Sequence, residues 1–467
     1  MYLFDININL WYSTLVMKNS KRLRISPSLK IIAGFVMVIL IGTLLLCLPI
    51  SNNDGHWLSF VDSFFTSTSA VCVTGLIVVD TAVQFTLFGK IVILLLIQIG
   101  GLGIIAITSL IFLLLRKKIN LYNRMAIQES INKDTIQGVV RFIKKTIIIT
   151  FIIEGIGALL LLYSTISFSG NFWTGLFYAV FMSVSAFCNA GFDILGTQSS
   201  QFSSIYAFAG DVTMLLPLMF LIIIGGIGFV VLLGGFKNIK SKQHTKVVLW
   251  VTSILILVGA VIFLICEWNN PNTIGEMSFG GKLLNSFFQS VAPRTAGFAT
   301  IDQNSLTAMS RITTMFLMFV GGSPNSTAGG IKTTTLFILF MFMFRLPNAN
   351  GDIRVKDKKI SRKVIMKAIR LILYTILTLV IAIALIRLLE PSSVGFESIV
   401  FECISAISTV GLTMGITPLL TVPSKIVLAI LMFVGRVGLV TIAMAFASKG
   451  INAVQDEIEY PNTDIIV

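Results

Sequence analysis

The same spacing of residues recurs four times along this chain: a Phe, an Ala five positions later, a Gly five positions after that, then Leu or Phe. The four copies begin at Phe65, Phe181, Phe287 and Phe401. Each copy lies between two long apolar stretches. Non-helical backbone at membrane depth persists only where protein buries it or a water-filled path solvates it. Four interruptions, each with a Gly that tolerates unusual backbone angles, therefore predict a ring of backbone carbonyls around one axis.

The composition is that of an integral membrane protein without a separate soluble domain. The 467 residues are 55% hydrophobic and 12% charged, about half the charged fraction of a soluble protein. The net charge is +14, and 27 of the 35 Lys and Arg residues lie at Lys449 and within 1–30, 116–145, 237–246 and 345–370. Short basic loops that flank spans are typical of the cytoplasmic side. A basic charge divided in this way does not indicate nucleic-acid binding.

Apolar stretches of roughly 20 residues, the length needed to cross a bilayer, predict eight spans. They lie at about 29–50, 87–115, 143–165, 208–236, 247–267, 306–345, 364–389 and 422–448. A shorter segment inside each pair carries the recurrent spacing and, at roughly 12 residues, cannot cross. We expect an all-α integral membrane protein of four parallel repeats, each a span, a re-entrant half-helix and a second span, around one pseudo-fourfold pore.

This organisation places both termini in the cytoplasm. The expected segments are an N-terminus at 1–28, repeat D1 at 29–115, D2 at 143–236, D3 at 247–345, D4 at 364–448 and a tail at 449–467. The second spans of D1, D2 and D4 share a G-[GR]-x-G pattern that begins at Gly100, Gly225 and Gly435. Small residues allow helices to approach closely, which is the simplest interpretation of these glycines. Their register with the loops indicates a common ancestry of the repeats.

The four loops after the half-helices offer no matched set of carboxylates, so the shared ligand should be the main-chain carbonyl. The candidate cation-binding residues are Val73, Thr74, Gly75, Asn189, Ala190, Gly191, Thr295, Ala296, Gly297, Thr409, Val410 and Gly411. Carbonyl oxygens suit a hard monovalent cation, and the partly negative helix C-termini would add to its stabilisation. Ser69, Ser185 and Ser405 are expected either to brace these loops or simply to cap the helices.

A polar segment interrupts the second span of D3 and is a candidate gate. It comprises Gly321, Gly322, Ser323, Pro324, Asn325, Ser326, Thr327, Ala328, Gly329, Gly330, Ile331 and Lys332. Pro and several Gly residues disfavour a continuous helix, so the alternatives are a gating loop and a kinked helix. Arg436 lies within a span, where a charge usually faces a cavity or a partner. Glu154, also in a span, is expected to be a hydrogen-bonded structural residue.

The four loops, their glycines and the eight-span layout resemble the Trk/Ktr/HKT superfamily of potassium transporters, most closely the Ktr-type membrane subunit, over roughly 29–450. The resemblance implies a potassium filter with Gly at all four positions, a gating loop at 321–332, and Arg436 facing the pore below the filter. Arg436 would hold the loop closed through its carbonyls, and Lys332 is expected either to act similarly or to mark the cytoplasmic end of its segment. The resemblance also implies a homodimer docked on a cytosolic ring of nucleotide-binding regulatory subunits in a bacterial plasma membrane. Sodium remains open as a coupling or activating ion.

Other classes of function fit the sequence less well. An enzyme would need converging acids, bases or metal ligands, yet the two histidines, His56 and His244, fall in predicted loops, and no cofactor motif is present. A secondary transporter of another small solute would more often have inverted repeats. A sodium-permeable cation transporter is the remaining alternative. The five cysteines lack metal-binding spacing and are expected to be reduced.

Overall fold

The computed structural model describes residues 27–103, 139–197, 201–234, 239–345, 347–348, 351–355, 358–439 and 441–442. This part of the chain is almost entirely helical, as the sequence predicted. Its two strands, β1 (Ile353–Val355) and β2 (Lys358–Ile360), form a small antiparallel hairpin. The predicted N-terminus lies outside the described residues except for its last two positions, and the whole of the predicted tail lies outside them.

Four long helices form the exterior, and we name them outer helices 1 to 4 in chain order. They are Pro27–Cys47, Val139–Ser169, Ile239–Glu267 and Arg362–Leu389. Each contains a stretch long and apolar enough to cross a membrane. Large apolar side chains such as Met37, Leu159 and Leu388 are exposed on them. Such surfaces are stable in contact with lipid rather than water.

Four short helices follow the outer helices at the predicted half-helix positions. Short helices 1 to 4 are Phe60–Cys72, Phe172–Cys188, Phe279–Val291 and Phe396–Ser408. They have 13, 17, 13 and 13 residues, close to the expected length. The C-terminal half of each is buried, with Phe65, Phe181 and Phe401 of the recurrent spacing almost fully enclosed. The spacing thus anchors each short helix in the core.

Four inner helices complete the pattern, and the C-terminal parts of the predicted second spans at 104–115, 235–236 and 443–448 lie outside the described residues. Inner helices 1, 2 and 4 are Leu87–Leu102, Val212–Ile227 and Val422–Val437, and inner helix 3 consists of Ala308–Phe319 and Thr333–Phe344. Within the predicted span 208–236, inner helix 2 breaks at Gly228, and a second helical stretch follows at Phe229–Gly234, while 235–236 lie outside the described residues. Inner helices 1 and 4 end in the same way at Gly103 and Gly438. All three glycines have a positive φ, which a continuing helix does not allow.

The helices pack in a closed cycle. Each inner helix contacts the short helix that precedes it and also the next short helix along the chain. Inner helix 4 has no later neighbour and instead contacts short helix 1, which closes the cycle. Two ion pairs span these joints: Arg311 Nε lies 2.7 Å from Glu397 Oε1, and Lys425 Nζ lies 3.0 Å from Asp62 Oδ1. Each joins an inner helix to the first turn of the next short helix, where a carboxylate also favours the helix dipole.

Candidate functional site

The four loop glycines meet at the centre of this cycle. A Cβ placed on any one of them would lie within 2.7 Å of a carbonyl oxygen in the next loop. The neighbours, in order, are Gly75 with Ala190, Gly191 with Ala296, Gly297 with Val410, and Gly411 with Thr74. The order returns to its starting point, so the four loops form one closed ring. All twelve candidate cation-binding residues are buried in it.

The loop backbone has the same alternation in all four places. The glycines have φ of +92°, +70°, +77° and +97°, and the residues two positions earlier, Val73, Asn189, Thr295 and Thr409, have φ of +57°, +58°, +71° and +51°. The sequence predicted unusual angles only at the glycines. A β-branched residue in the left-handed region costs about 1 to 3 kcal/mol and persists only where the surroundings impose it. Three such residues in one ring indicate that the surrounding packing fixes the backbone geometry of the loops.

Three of the short helices end in the same hydrogen-bonded turn. The amide of Val73 donates to the Ala70 carbonyl (3.1 Å) and that of Thr74 to the Ser69 carbonyl (2.8 Å). Short helices 2 and 4 repeat this pair of bonds, which define a Schellman motif. Short helix 3 ends differently: it stops at Val291, Pro293 has no amide hydrogen to donate, and the amides of Ala296 and Gly297 both donate to the Ala292 carbonyl.

The three serines brace the loops, so the first of the two expectations is confirmed. The amides of Gly75 and Gly411 donate to Ser69 Oγ (3.0 Å) and Ser405 Oγ (3.1 Å). Ser185 Oγ donates to the Phe192 carbonyl at 2.6 Å. Each hydroxyl thus ties a loop to the last turn of its own helix, which limits how far the ring can deform.

Several polar side-chain atoms in the ring have no protein partner. The buried atoms without a hydrogen bond are Thr74 Oγ1, Thr409 Oγ1 and Asn189 Oδ1. The other polar atom of Asn189, Nδ2, does have a partner and donates to Thr295 Oγ1 at 3.2 Å. Buried oxygens without a partner call for a water or an ion. Within the described ranges, no cluster of three or more His, Cys, Asp or Glu side chains could hold a metal, so the ring offers carbonyl, hydroxyl and amide oxygens.

The predicted gating segment, 321–332, lies directly against this ring. A Cβ on Gly329 would overlap the Thr409 hydroxyl, and one on Gly321 would lie 3.1 Å from the Thr295 methyl group. The interruption of the helix is confirmed, because inner helix 3 stops at Phe319 and resumes at Thr333. The whole predicted segment is non-helical.

The broken end of inner helix 2 binds the segment through the backbone. The amides of Ser323 and Thr327 donate to the carbonyls of Gly226 (2.9 Å) and Gly225 (3.3 Å). In return the Phe229 amide donates to the Asn325 carbonyl at 2.8 Å. The break at Gly228 therefore frees the groups that hold the segment. The sequence analysis did not identify this role, although the second half of the G-[GR]-x-G pattern marked the site.

Two cationic side chains add to this attachment. Lys332 Nζ donates to the carbonyls of Ala328 (2.8 Å) and Gly329 (3.1 Å). Arg436 donates to the Thr327 carbonyl through Nη1 and to the carbonyls of Gly100 and Gly101 through Nη2. The predicted contact between Arg436 and the segment is confirmed, and the same side chain also reaches the end of inner helix 1.

Two buried carboxyl groups lie near the ring. Glu154 accepts a hydrogen bond from Gln98 Nε2 at 3.2 Å, which confirms its expected hydrogen-bonded state. Glu402 accepts a hydrogen bond from Thr413, two residues beyond Gly411, and its other oxygen has no partner. The sequence analysis did not single out Glu402, whose only signal is a charge in an otherwise apolar half-helix. The five cysteines are free, as expected.

The face of the ring opposite the predicted gating segment carries acidic groups. Asp80 caps the N-terminus of a four-residue helix, Thr81–Gln84, and accepts a hydrogen bond from the Phe202 amide at 2.7 Å. Burial, together with the neighbouring Asp80 carboxylate, raises the pKa of Asp193 from its usual 3.8 to about 7. Asp62 and Glu397 are neutralised by the ion pairs described above. These two carboxylates therefore add little net negative charge to this face.

A closed ring of main-chain loops inside an apolar helical bundle defines a multi-pass membrane transport protein. The family model for TrkH, described as a cation transport protein, matches residues 6–453. The chain therefore belongs to this family of transporters, and it is not an enzyme.

Individual relatives are similar over nearly the whole chain. The potassium/sodium uptake protein NtpJ of Enterococcus hirae is 39% identical over 97% of this chain and 99% of its own length. The Ktr system potassium uptake protein B of Bacillus subtilis is 38% identical over 95% of this chain and 97% of its own length. The crystal structure of the potassium transporter TrkH from Vibrio parahaemolyticus covers 88% of this chain and 84% of its own, with a TM-score of 0.68 and 19% identity. This last similarity concerns the fold.

Proposed function

We propose that this chain takes up potassium ions across a bacterial plasma membrane through a filter of backbone carbonyls. The observation that carries the proposal is the closed ring in which Gly75, Gly191, Gly297 and Gly411 each face a carbonyl of the next loop. Relatives named as potassium uptake proteins, at 38% and 35% identity, support the choice of ion. No cofactor is needed, because the ion itself is the ligand.

The architecture proposed for this function is eight spans in four parallel repeats, with the boundaries D1 to D4 given above and both termini in the cytoplasm. The cyclic packing of inner and short helices supports a pseudo-fourfold axis. The four outer helices supply half of the spans. In this arrangement the inner helices provide the other half, and their breaks lie below the filter on the cytoplasmic side.

The filter would replace the hydration shell of the ion. In each loop, two residues with positive φ flank one residue, and the carbonyl of that middle residue faces a glycine of the neighbouring loop. The four carbonyls are those of Thr74, Ala190, Ala296 and Val410. The short helices direct their C-termini, the partly negative ends, to the same place. Desolvation of a cation is costly unless fixed dipoles of this kind compensate for it. The serine braces keep the carbonyls at a set separation, which favours one ion size over another.

The segment 321–332 would act as the gate beneath this filter. In a continuous helix through Gly228, the Phe229 amide would donate to the Gly225 carbonyl. In the structure the Thr327 amide occupies that carbonyl, and Asn325 occupies the Phe229 amide. Straightening of inner helix 2 and attachment of the segment therefore compete for the same groups. Opening would couple release of the segment, including its bonds to Lys332 and Arg436, to this rearrangement.

The chain would work as a homodimer on a cytosolic ring of nucleotide-binding regulatory subunits. The names of relatives in the Ktr system support a membrane subunit of a larger assembly. The basic region 345–370, which includes the β1–β2 hairpin, is a suitable docking surface. Sodium transport is a second candidate, because one relative carries the name potassium/sodium uptake protein. Sodium would then be either a second transported ion or a coupling ion.

Uptake of radioactive rubidium into liposomes that contain the purified chain tests the proposal. We expect uptake that unlabelled potassium abolishes and that sodium reduces much less. Parallel liposomes with radioactive sodium test the second candidate, which requires comparable rates for the two ions. Uptake of neither ion under an imposed gradient, from protein that remains folded, would contradict both.

A further inference from the structure

A cavity of about 390 Å³ lies on the far side of the gating segment from the ring. Its lining includes Lys332 and Arg436 at the segment and Lys367 on the second turn of outer helix 4. Among the described residues, the lining contains three cationic side chains and no Asp or Glu. Passage of a cation through a cavity with this lining is electrostatically unfavourable, because the three positive charges repel the transported ion.

The positive charges of the lining lack carboxylate counter-charges among the described residues. Lys332 and Arg436 donate only to main-chain carbonyls. None of the three cations takes part in an ion pair with the described carboxylates. Lys332 and Arg436 are also near enough to repel each other. Lys332 and Arg436 are partly buried, whereas Lys367 is exposed. Partly buried charges are normally paired, so the first two cations indicate an anionic ligand.

The shape of the cavity narrows the chemistry of that ligand. From the gating segment it extends to the N-terminal parts of three outer helices, where Ile31, Phe35, Phe142 and Leu371 line it. The cavity thus has Lys332 and Arg436 at its inner end and, beside Lys367, a largely apolar wall formed by the helices that face lipid. Basic pockets between membrane helices on the cytoplasmic side suit phosphate headgroups. Guanidinium and ammonium groups are the usual donors to phosphate.

We propose that this cavity binds a phosphate group through Lys332, Lys367 and Arg436, either as the headgroup of an anionic phospholipid or as free phosphate. The bound group neutralises the vestibule and takes over N–H donors that hold the carbonyls of Thr327, Ala328 and Gly329. Its binding therefore loosens the gating segment and increases cation flux. The effect on flux rests on the proposed function, whereas binding itself does not.

The test uses Lys367→Gln, because Lys367 is exposed and does not hold the gating segment. Lys363→Gln is the matched control, one turn earlier on the same helix, also exposed and outside the cavity lining. Native mass spectrometry counts phosphatidylglycerol molecules retained by the purified full chain. We expect wild type and Lys363→Gln to retain the lipid equally and Lys367→Gln to bind it about tenfold more weakly, the effect of losing one charge-assisted hydrogen bond.

A second arm separates the two sources of phosphate. Protein in neutral detergent is titrated with inorganic phosphate while the melting temperature is recorded, with chloride at equal ionic strength as the control. A rise in wild type and Lys363→Gln that is reduced in Lys367→Gln supports free phosphate. Lipid retention that depends on Lys367, without such a rise, supports the phospholipid. If neither readout distinguishes Lys367→Gln from Lys363→Gln, the site is overturned.

Rubidium uptake then links the site to transport. Wild type should take up rubidium several-fold faster from phosphatidylglycerol vesicles than from phosphatidylcholine vesicles, and Lys367→Gln should lose this difference. Lipid binding that depends on Lys367 in a chain that transports no rubidium would leave the site standing and contradict the proposed function instead. An equal flux response in both Gln variants would overturn the proposed effect on the gate.

Discussion

Replacing Gly75 with Ser should lower the preference for potassium over sodium. Gly75 has φ of +92°, and a Cβ there would lie 2.5 Å from the Ala190 carbonyl oxygen. Ordinary van der Waals contact begins at 3.4 Å, so the two groups must separate by about 0.9 Å. Because Ala190 supplies one of the four proposed carbonyl ligands, the displacement changes the geometry of one quarter of the filter.

The size of the effect follows from the energy scale of selectivity. A change of about 1.4 kcal/mol in the difference between the two ion-binding free energies alters selectivity tenfold. Forcing an L-residue into the left-handed region costs about 1 to 2 kcal/mol, and relief of the contact with Ala190 adds to the drive toward a distorted ring. We therefore expect the ratio of potassium to sodium uptake to fall by about tenfold or more.

The matched control is Gly415→Ser. Gly415 also has a positive φ, +83°, but a Cβ there would meet nothing within 4 Å. Both variants share the backbone cost, and only one presses on the ring. Initial uptake of the two ions into liposomes gives the ratio, and melting temperatures verify that both variants are folded. Equal ratios in Gly75→Ser, Gly415→Ser and wild type would refute the assignment of Gly75 to the filter.

Three further predictions concern the proposed gating segment and the acidic face of the ring. Arg436→Ala should increase basal rubidium flux, because the Thr327 carbonyl loses its donor. Arg436→Lys should change the flux less. A loss of folding with no gain in flux would show that Arg436 is a structural residue. Gly228→Ala should also increase rubidium flux, because its Cβ would lie 2.5 Å from the Pro324 carbonyl oxygen and displace the segment. Gly210→Ala is the control, since a Cβ there would meet nothing within 4 Å. Equal fluxes in the two variants would argue against the proposed competition between straightening of inner helix 2 and attachment of the segment. Asp193 has a folded-state pKa of about 7, so its contribution to stability is present below about pH 4 and is lost as the pH rises through 7. The melting temperature of Asp193→Asn should therefore exceed that of wild type by more at pH 8 than at pH 5. A difference that does not change with pH would contradict the raised pKa.

The sequence predicted the parts of the site that repeat. Four copies of one spacing located the short helices and the glycines, because each unit meets the same requirement for a buried helix end and a tight turn. The interruption at 321–332 was also predictable, since Pro324 and its neighbouring glycines oppose a helix by local chemistry alone.

Features that depend on contacts between units were not predictable in the same way. The break at Gly228 was missed because glycines in an apolar stretch are explained equally well by close packing of continuous helices, and only the bonds to Asn325 and Thr327 make the break favourable. The left-handed geometry of Val73, Thr295 and Thr409 contradicts their intrinsic preference and is imposed by the surrounding ring. Glu402 gave no motif, because its partner Thr413 lies on the far side of the filter loop.

The most direct test of the account is the position of a bound ion. Crystals grown in rubidium chloride, with anomalous diffraction recorded at the rubidium edge, would locate it without reference to the protein density. The account predicts a peak on the axis of the ring, between the carbonyls of Thr74, Ala190, Ala296 and Val410. A well-ordered ring without such a peak, together with rubidium bound elsewhere in the bundle, would contradict it.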